Sequence, residues 1–167
     1  MKKFFILSTV LFISLVSYAQ TSNLSDVISI KDAIAIYNGG IGIAKSKLTT
    51  AGYKYCGQGT FRSYWAKNCE YSKSQEKAIK FTKGTSSVIA IPNKDKGVTI
   101  TVFNESAYKK IKSQIIAMGY KNTDSWGSSC GNYFETFEKS GYPKITASDE
   151  SGDNPGMPFN IIFEVNI

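Results

Sequence analysis

The 167-residue sequence contains no histidine, only three cysteines and four prolines, and no block of like charge longer than two residues. The missing imidazole removes the side chain most often used for proton transfer near neutral pH, so acid–base work would fall to Asp, Glu, Lys, Tyr or Cys. A thiol nucleophile at Cys56, Cys69 or Cys130 would have no histidine to activate it. Glu70 and Glu135 lie on comparable predicted strands and are the one carboxylate pair that could face each other; alternation assigns them as solvated strand residues. A phosphate-cradling glycine loop, a metal-spaced ligand set and a nucleophile elbow are all lacking. The oxygen-rich stretch 149–154 lacks the spacing and the closing glutamate of a calcium loop. These features predict a protein that is not an enzyme and that carries no metal and no cofactor.

An odd number of cysteines leaves at least one outside any intrachain bridge. Cys56 and Cys69 enclose a short loop and are the expected disulfide, worth about 3 kcal/mol through chain entropy. Cys130 is then expected to be buried as a small apolar residue.

A long apolar run is confined to the start of the chain. Lys2 and Lys3 precede apolar residues 4–16, and Ser17-Tyr18-Ala19 forms a small-x-small cleavage site, so residues 1–19 read as a signal peptide cut after Ala19. The run is short of the roughly 20 apolar residues a spanning helix needs. The expectation is an exported protein, periplasmic or extracellular, with no stable membrane insertion. With the two leader lysines removed, 18 basic residues face 13 acidic ones, a net charge of +5. The lysines are scattered through strands, turns and helix faces, which argues against a focused nucleic-acid site. Attraction to an anionic envelope surface or to an acidic protein partner stays open.

What the chain does contain is a phrase written twice. Lys45-Ser46-Lys47-Leu48-Thr49-Thr50-Ala51-Gly52-Tyr53-Lys54 returns as Lys112-Ser113-Gln114-Ile115-Ile116-Ala117-Met118-Gly119-Tyr120-Lys121, with five of ten positions identical. In the second copy Tyr108, Ile111, Ile115 and Met118 fall on one helical stripe. Gly52 and Gly119 each stand where a helix leaves through a left-handed residue. This predicts helices over 41–51 and 107–118. An earlier helix, capped by Ser25, runs to Tyr37 and is broken by Asn38-Gly39-Gly40. Asn104 is the predicted cap of the second-copy helix, with Phe103 and Tyr108 as a hydrophobic staple.

Period-2 alternation predicts strands over 61–71, 78–82, 87–91, 98–103, 132–139, 144–148 and 161–167, and residues around Trp126 read as a polar, glycine-rich loop. Four parts follow: residues 1–19 as leader, 20–38 as an arm and helix, 39–103 as a first unit and 104–167 as a second. The fold class is α+β, two tandem helix-plus-antiparallel-strand units packed together with the helices on one sheet face. In pattern, the leader, the first helix and the two K-S-x-[LI]-x-x-x-G-Y-K phrases resemble a loose class of small secreted bacterial proteins built of helix-plus-three-strand repeats, mostly of unassigned role. The architecture is also similar to that of the secreted β-lactamase inhibitory proteins, without their cysteine spacings or helix-start phrases.

Aromatic residues crowd the regions after each repeated phrase. Half of them must build core, and the others face outward. Tyr55, Arg62, Tyr64, Trp65, Lys67, Trp126 and Tyr133 are the expected partner-binding residues, of the types that dominate protein-binding hot spots. The expected function is a periplasmic inhibitor or immunity-type protein that holds a toxin or an envelope hydrolase; the alternative is a glycan or cell-wall polymer module that stacks sugars on the same aromatics.

Overall fold

The computed structural model describes residues 27–67, 71–73, 79–81, 87–129, 131–150 and 158–164, and the account below concerns these. Helix α1 spans Ile30–Thr50. Its N-cap is Ser29, whose Oγ accepts from the Asp32 backbone N–H at 3.1 Å and donates to the Asp32 carboxylate at 2.8 Å. That reciprocal pair satisfies a donor the first turn would leave open. The cap expected from sequence, Ser25, lies outside the described residues, and the helix starts at Ile30. The Asn38-Gly39-Gly40 break appears as a kink: Gly40 has φ 62° and ψ −154°, a conformation open only to glycine, and α1 is two helical segments joined there. Ile30, Ala33, Ile34, Ile36 and Tyr37 of the first segment and Ala44 and Leu48 of the second are buried.

Helix α2 spans Glu105–Ala117 and is capped as expected by Asn104, whose side chain accepts from Ala107 N at 2.8 Å. Tyr108, Ile111 and Ile115 form its buried stripe. The two helices end identically. Gly52 N donates to Thr49 O and Tyr53 N to Leu48 O; Gly119 N donates to Ile116 O and Tyr120 N to Ile115 O. Both glycines are left-handed, at φ 82° and 84°. This is the Schellman exit, in which the orphan carbonyls of the last turn are satisfied by the two residues beyond the cap. The tyrosine that follows is buried each time: the Tyr53 hydroxyl accepts from Ile28 N at 3.1 Å, and the Tyr120 hydroxyl donates to Pro143 O at 3.2 Å.

Ten strands follow in chain order: β1 (Lys54–Gln58), β2 (Arg62–Lys67), β3 (Tyr71–Lys73), β4 (Ile79–Phe81), β5 (Ser87–Pro92), β6 (Val98–Val102), β7 (Lys121–Gly127), β8 (Tyr133–Glu138), β9 (Lys144–Asp149) and β10 (Phe159–Glu164). Eight form one antiparallel sheet in the order β1-β2-β5-β6-β10-β9-β8-β7, and β3 and β4 pair as a separate hairpin. The fold is therefore α+β: among the described residues, one eight-stranded sheet, one separate hairpin and two helices. The order reads outward from a central β6–β10 pair, in which Ile100 faces Ile161 and Val98 faces Phe163. Each outermost strand follows one of the glycine exits and carries an irregularity at the same offset, between Tyr55 and Gly57 in β1 and between Asn122 and Asp124 in β7.

The sequence missed both β1 and β7, and the strand predicted over 61–71 is two strands, β2 and β3, belonging to different sheets. Alternation held in the interior. Val98, Ile100 and Val102 are buried between partly exposed Thr99 and Thr101, and Phe159, Ile161 and Phe163 between Asn160 and Ile162. These buried strand residues, with Trp65, Ile89, Ile91, Phe137, Ile145 and Ala147, join the buried residues of α1 and α2 in a single core cluster. Fully burying each aliphatic or aromatic side chain contributes about 1.5–3 kcal/mol. A second, small cluster of Cys56, Ala66 and Val88 lies under Tyr64. Among the described residues no helix is long and apolar enough to cross a membrane.

Candidate functional site

The sheet side chains that do not join the main core form a second face, whose rows can be read from strand register. One row passes from Tyr64 through Ala90, Thr99, Ile162, Thr146 and Thr136 to Asp124. The next runs from Ala66 through Val88, Thr101, Asn160, Ser148 and Phe134 to Trp126. At the β2–β5 end this face is closed, since Ala66, Val88 and Ala90 are buried. From β6 to β8 it opens: Thr99, Thr101, Asn160, Ile162, Thr146, Thr136 and Phe134 are all partly exposed.

The open part is lined mainly by uncharged side chains, is internally ordered, and takes in one carboxylate, Glu150 just beyond β9. Thr101 donates to the Asn160 side-chain carbonyl at 2.7 Å, and Asn160 Nδ2 donates to Glu150 Oε1 at 2.8 Å. Ser148 donates to the same Glu150 oxygen at 3.1 Å. Charged residues stand at the margin as opposed neighbours, Lys144 across from Glu164 and Lys121 across from Glu138. At the β7 edge Trp126 lies stacked on Phe134, with ring centroids 4.0 Å apart and planes 14° from parallel, and keeps half its surface exposed. A rigid stacked pair offers a large apolar plane at little entropic cost to whatever binds it.

The structure distributes the expected partner-binding residues instead of gathering them. Trp65 is 3 % exposed and sits in the core, so it cannot serve a surface; its position opposite Ile89 in the sheet interior fixes that. Tyr55 is exposed with its ring tilted against Trp65 at 5.0 Å, on the β1 edge. Arg62 is exposed and Tyr64 partly so; the Lys67 ammonium lies 5.8 Å from the centre of the Tyr53 ring. Trp126 and Tyr133 are exposed on β7 and β8. At about 4.8 Å per strand, these last two stand roughly 30 Å from the β1–β2 group across the sheet. Tyr133 alternates with Phe134, so it also faces away from the Trp126 side. Phe134, one of the aromatics that crowd the second region, and the threonine rows are not among the expected binding residues; the Thr-for-Val alternation in β6 is the signal that points to the threonines.

Glu135, half of the conceivable carboxylate pair, is nearly buried. Lys112 forms an ion pair with it, and Asn122 Nδ2 donates to its other oxygen at 3.2 Å. Glu70 lies outside the described residues, as do Cys69 and Cys130. Cys56 is buried, with its sulfur 3.4 Å from Lys54 O. The Tyr108 ring stacks on Phe159 at 4.7 Å, and burial, reinforced by the carboxylates of Glu135 and Asp149, pushes its phenol above the usual range. No cluster of three potential metal-ligating side chains occurs among the described residues. No protein-family model matches the chain, and no curated protein and no solved structure is similar enough to count as a match.

Proposed function

We propose that this chain is an exported binding protein made of two copies of a helix-plus-four-strand module, with the helices on one face of the sheet and a protein partner, a toxin or an envelope hydrolase, held on the other. The duplication rests on the paired Schellman exits, the matched strand irregularities and a strand order that mirrors about β6–β10. The binding role rests on one observation above the rest: a largely uncharged, hydrogen-bonded strip from Thr99 to Phe134, tied to the Glu150 carboxylate, that ends in a half-exposed Trp126. Threonine hydroxyls and an aromatic plate give hydrogen bonds and one apolar anchor, which suits a protein interface core, and the Glu150 carboxylate is already hydrogen-bonded by Asn160 and Ser148.

A glycan is the second reading, favoured by the Trp126–Phe134 stack beside the partly exposed Asn160 and Glu150 hydrogen-bonding groups. The test is capture from envelope extract by the wild-type chain and by Trp126→Ala and Thr146→Arg variants shown by circular dichroism to be folded. The protein reading expects one or more proteins retained by the wild type and reduced at least tenfold by each variant. Equal recovery by all three chains refutes it. A tryptophan fluorescence shift with envelope polysaccharide, abolished by Trp126→Ala, would transfer the site to sugars.

A further inference from the structure

At the end of the sheet opposite the Gly52 exit, the β1–β2 turn presents Phe61 with 80 % of its surface exposed, more than any other large apolar residue described. This turn is not loose. Asn93 holds all three of its carbonyls: its backbone N–H donates to Phe61 O at 2.9 Å, and its side-chain amide donates to Gly59 O at 3.1 Å and to Thr60 O at 3.3 Å. Ser63 Oγ fixes the amide from the other side, donating to Asn93 Oδ1 at 2.9 Å, and Gly59 N closes the turn on Arg62 O at 2.8 Å. A buried serine and a five-bond clamp thus hold an aromatic ring out in water, where it gains nothing for folding.

The surroundings say what that ring meets. Arg62 follows it, and Lys94 and Lys96 flank Asp95, all exposed; Glu164, beyond the Phe163 that faces Val98, is the second exposed acid at this end and stands across from Lys144. Asn93 also lines a shallow groove of about 280 Å³ with Ile91, Pro92, Tyr37 and Ile41. Beyond it, the kink at Gly40 turns out two more apolar residues, Ile41 at 39 % and Ile43 at 42 % exposed. The charge at this tip is therefore positive, with three cations against two acids, and Phe61 projects from it beside Arg62. Projection favours a soft, flat surface over a partner's preformed pocket, and the cations give that surface a sign.

We infer that this end of the molecule docks reversibly on an anionic phospholipid bilayer, with Phe61 entering the headgroup–acyl boundary, Ile41 following it, and Arg62, Lys94 and Lys96 pairing with lipid phosphates. The site is separate from the Thr99–Trp126 face, so either can fail without the other. Each cation near an anionic surface raises partitioning about fivefold, and the effect is confined within a Debye length of about 8 Å at physiological salt.

The test uses the chain recovered from the envelope fraction of expressing cells, its N-terminus fixed by mass spectrometry, in sedimentation with vesicles of phosphatidylglycerol and phosphatidylcholine or of phosphatidylcholine alone. Expected is binding to the anionic vesicles only, lowered about tenfold by Phe61→Ser and roughly 25-fold by the Lys94→Gln/Lys96→Gln pair, and unchanged by Ile116→Ser on α2. A Phe61→Trp variant should bind like the wild type and gain emission quenched by brominated acyl chains. Equal binding to both vesicle types, full binding by Phe61→Ser, or no added quenching in Phe61→Trp would each overturn the inference. So would a concentration-dependent dimer lost in Phe61→Ser, which would assign the tip to a second copy.

Discussion

Replacing Gly52 or Gly119 with alanine isolates the backbone component of the repeated helix exit. A Cβ built on Gly119 meets nothing within 4 Å, and one on Gly52 meets only the Lys67 Cε at 3.8 Å, an ordinary contact. The change is thus free of steric conflict at both sites, and its cost is the left-handed φ of 82° or 84°. An alanine there costs about 1–2 kcal/mol in the folded chain, and the lower entropy of the unfolded alanine chain offsets about 0.4–1 kcal/mol of it. The net expectation is about 1 kcal/mol at each site, or a fall in Tm of roughly 2–4 °C. The two exits lie in different helices without shared partners, so the double variant should lose about 2 kcal/mol. Asparagine, which tolerates this conformation better, should fall between glycine and alanine at both positions. Urea unfolding followed by circular dichroism, with an unchanged denaturant slope, measures all five variants. A Gly119→Ala midpoint equal to wild type, or costs at the two sites that differ by more than about 2 kcal/mol, would refute the claim that one backbone device ends both helices.

Tyr108→Phe should be neutral or stabilising by about 1 kcal/mol, because the buried Tyr108 hydroxyl has no hydrogen-bond partner among the described residues while its ring keeps the Phe159 stack; thermal unfolding decides, and a loss of 1 kcal/mol or more would show the hydroxyl bonded in solution. Alkali should unfold the protein in a defined window. Burial raises the Tyr120 phenol to about 12 and the Tyr108 phenol in the same direction, so the folded chain holds protons that the unfolded chain releases from about pH 10. Stability is then fully present below pH 10 and falls as pH rises toward 12. Tyrosinate absorbance at 295 nm should show these two groups ionising together with loss of the far-ultraviolet signal, and their ionisation in a still-folded chain would contradict the burial argument.

The helices and the central strands were legible because burial writes a period into the sequence: Tyr108, Ile111 and Ile115 every third or fourth residue, Val98, Ile100 and Val102 every second. The two outermost strands were not, for one physical reason. β7 is exposed along its whole length, so its residues carry no inward–outward pattern, and the irregularities near Cys56 and Thr123 shift the phase of β1 and β7 partway along. The candidate site was legible in residue type and not in place. Trp126 stood out as an aromatic, but its strand β7 was not legible, so neither its pairing with Phe134 nor the β6–β10 pairing that adds Thr99 and Thr101 to the row could be read. Trp65 was misplaced because an aromatic on an alternating strand has two faces to choose from, and the register against Ile89 chose the inner one.

The seam where β6 meets β10 sets what each half would be alone. Cut there, either half would expose the full hydrogen-bonding edge of its last strand, along with Ile100 or Ile161 at its centre. Antiparallel pairing is the arrangement two like strands adopt about a twofold axis, so an isolated half would satisfy its open edge by meeting its own twin. Joining both halves in one polypeptide makes that encounter intramolecular and independent of concentration.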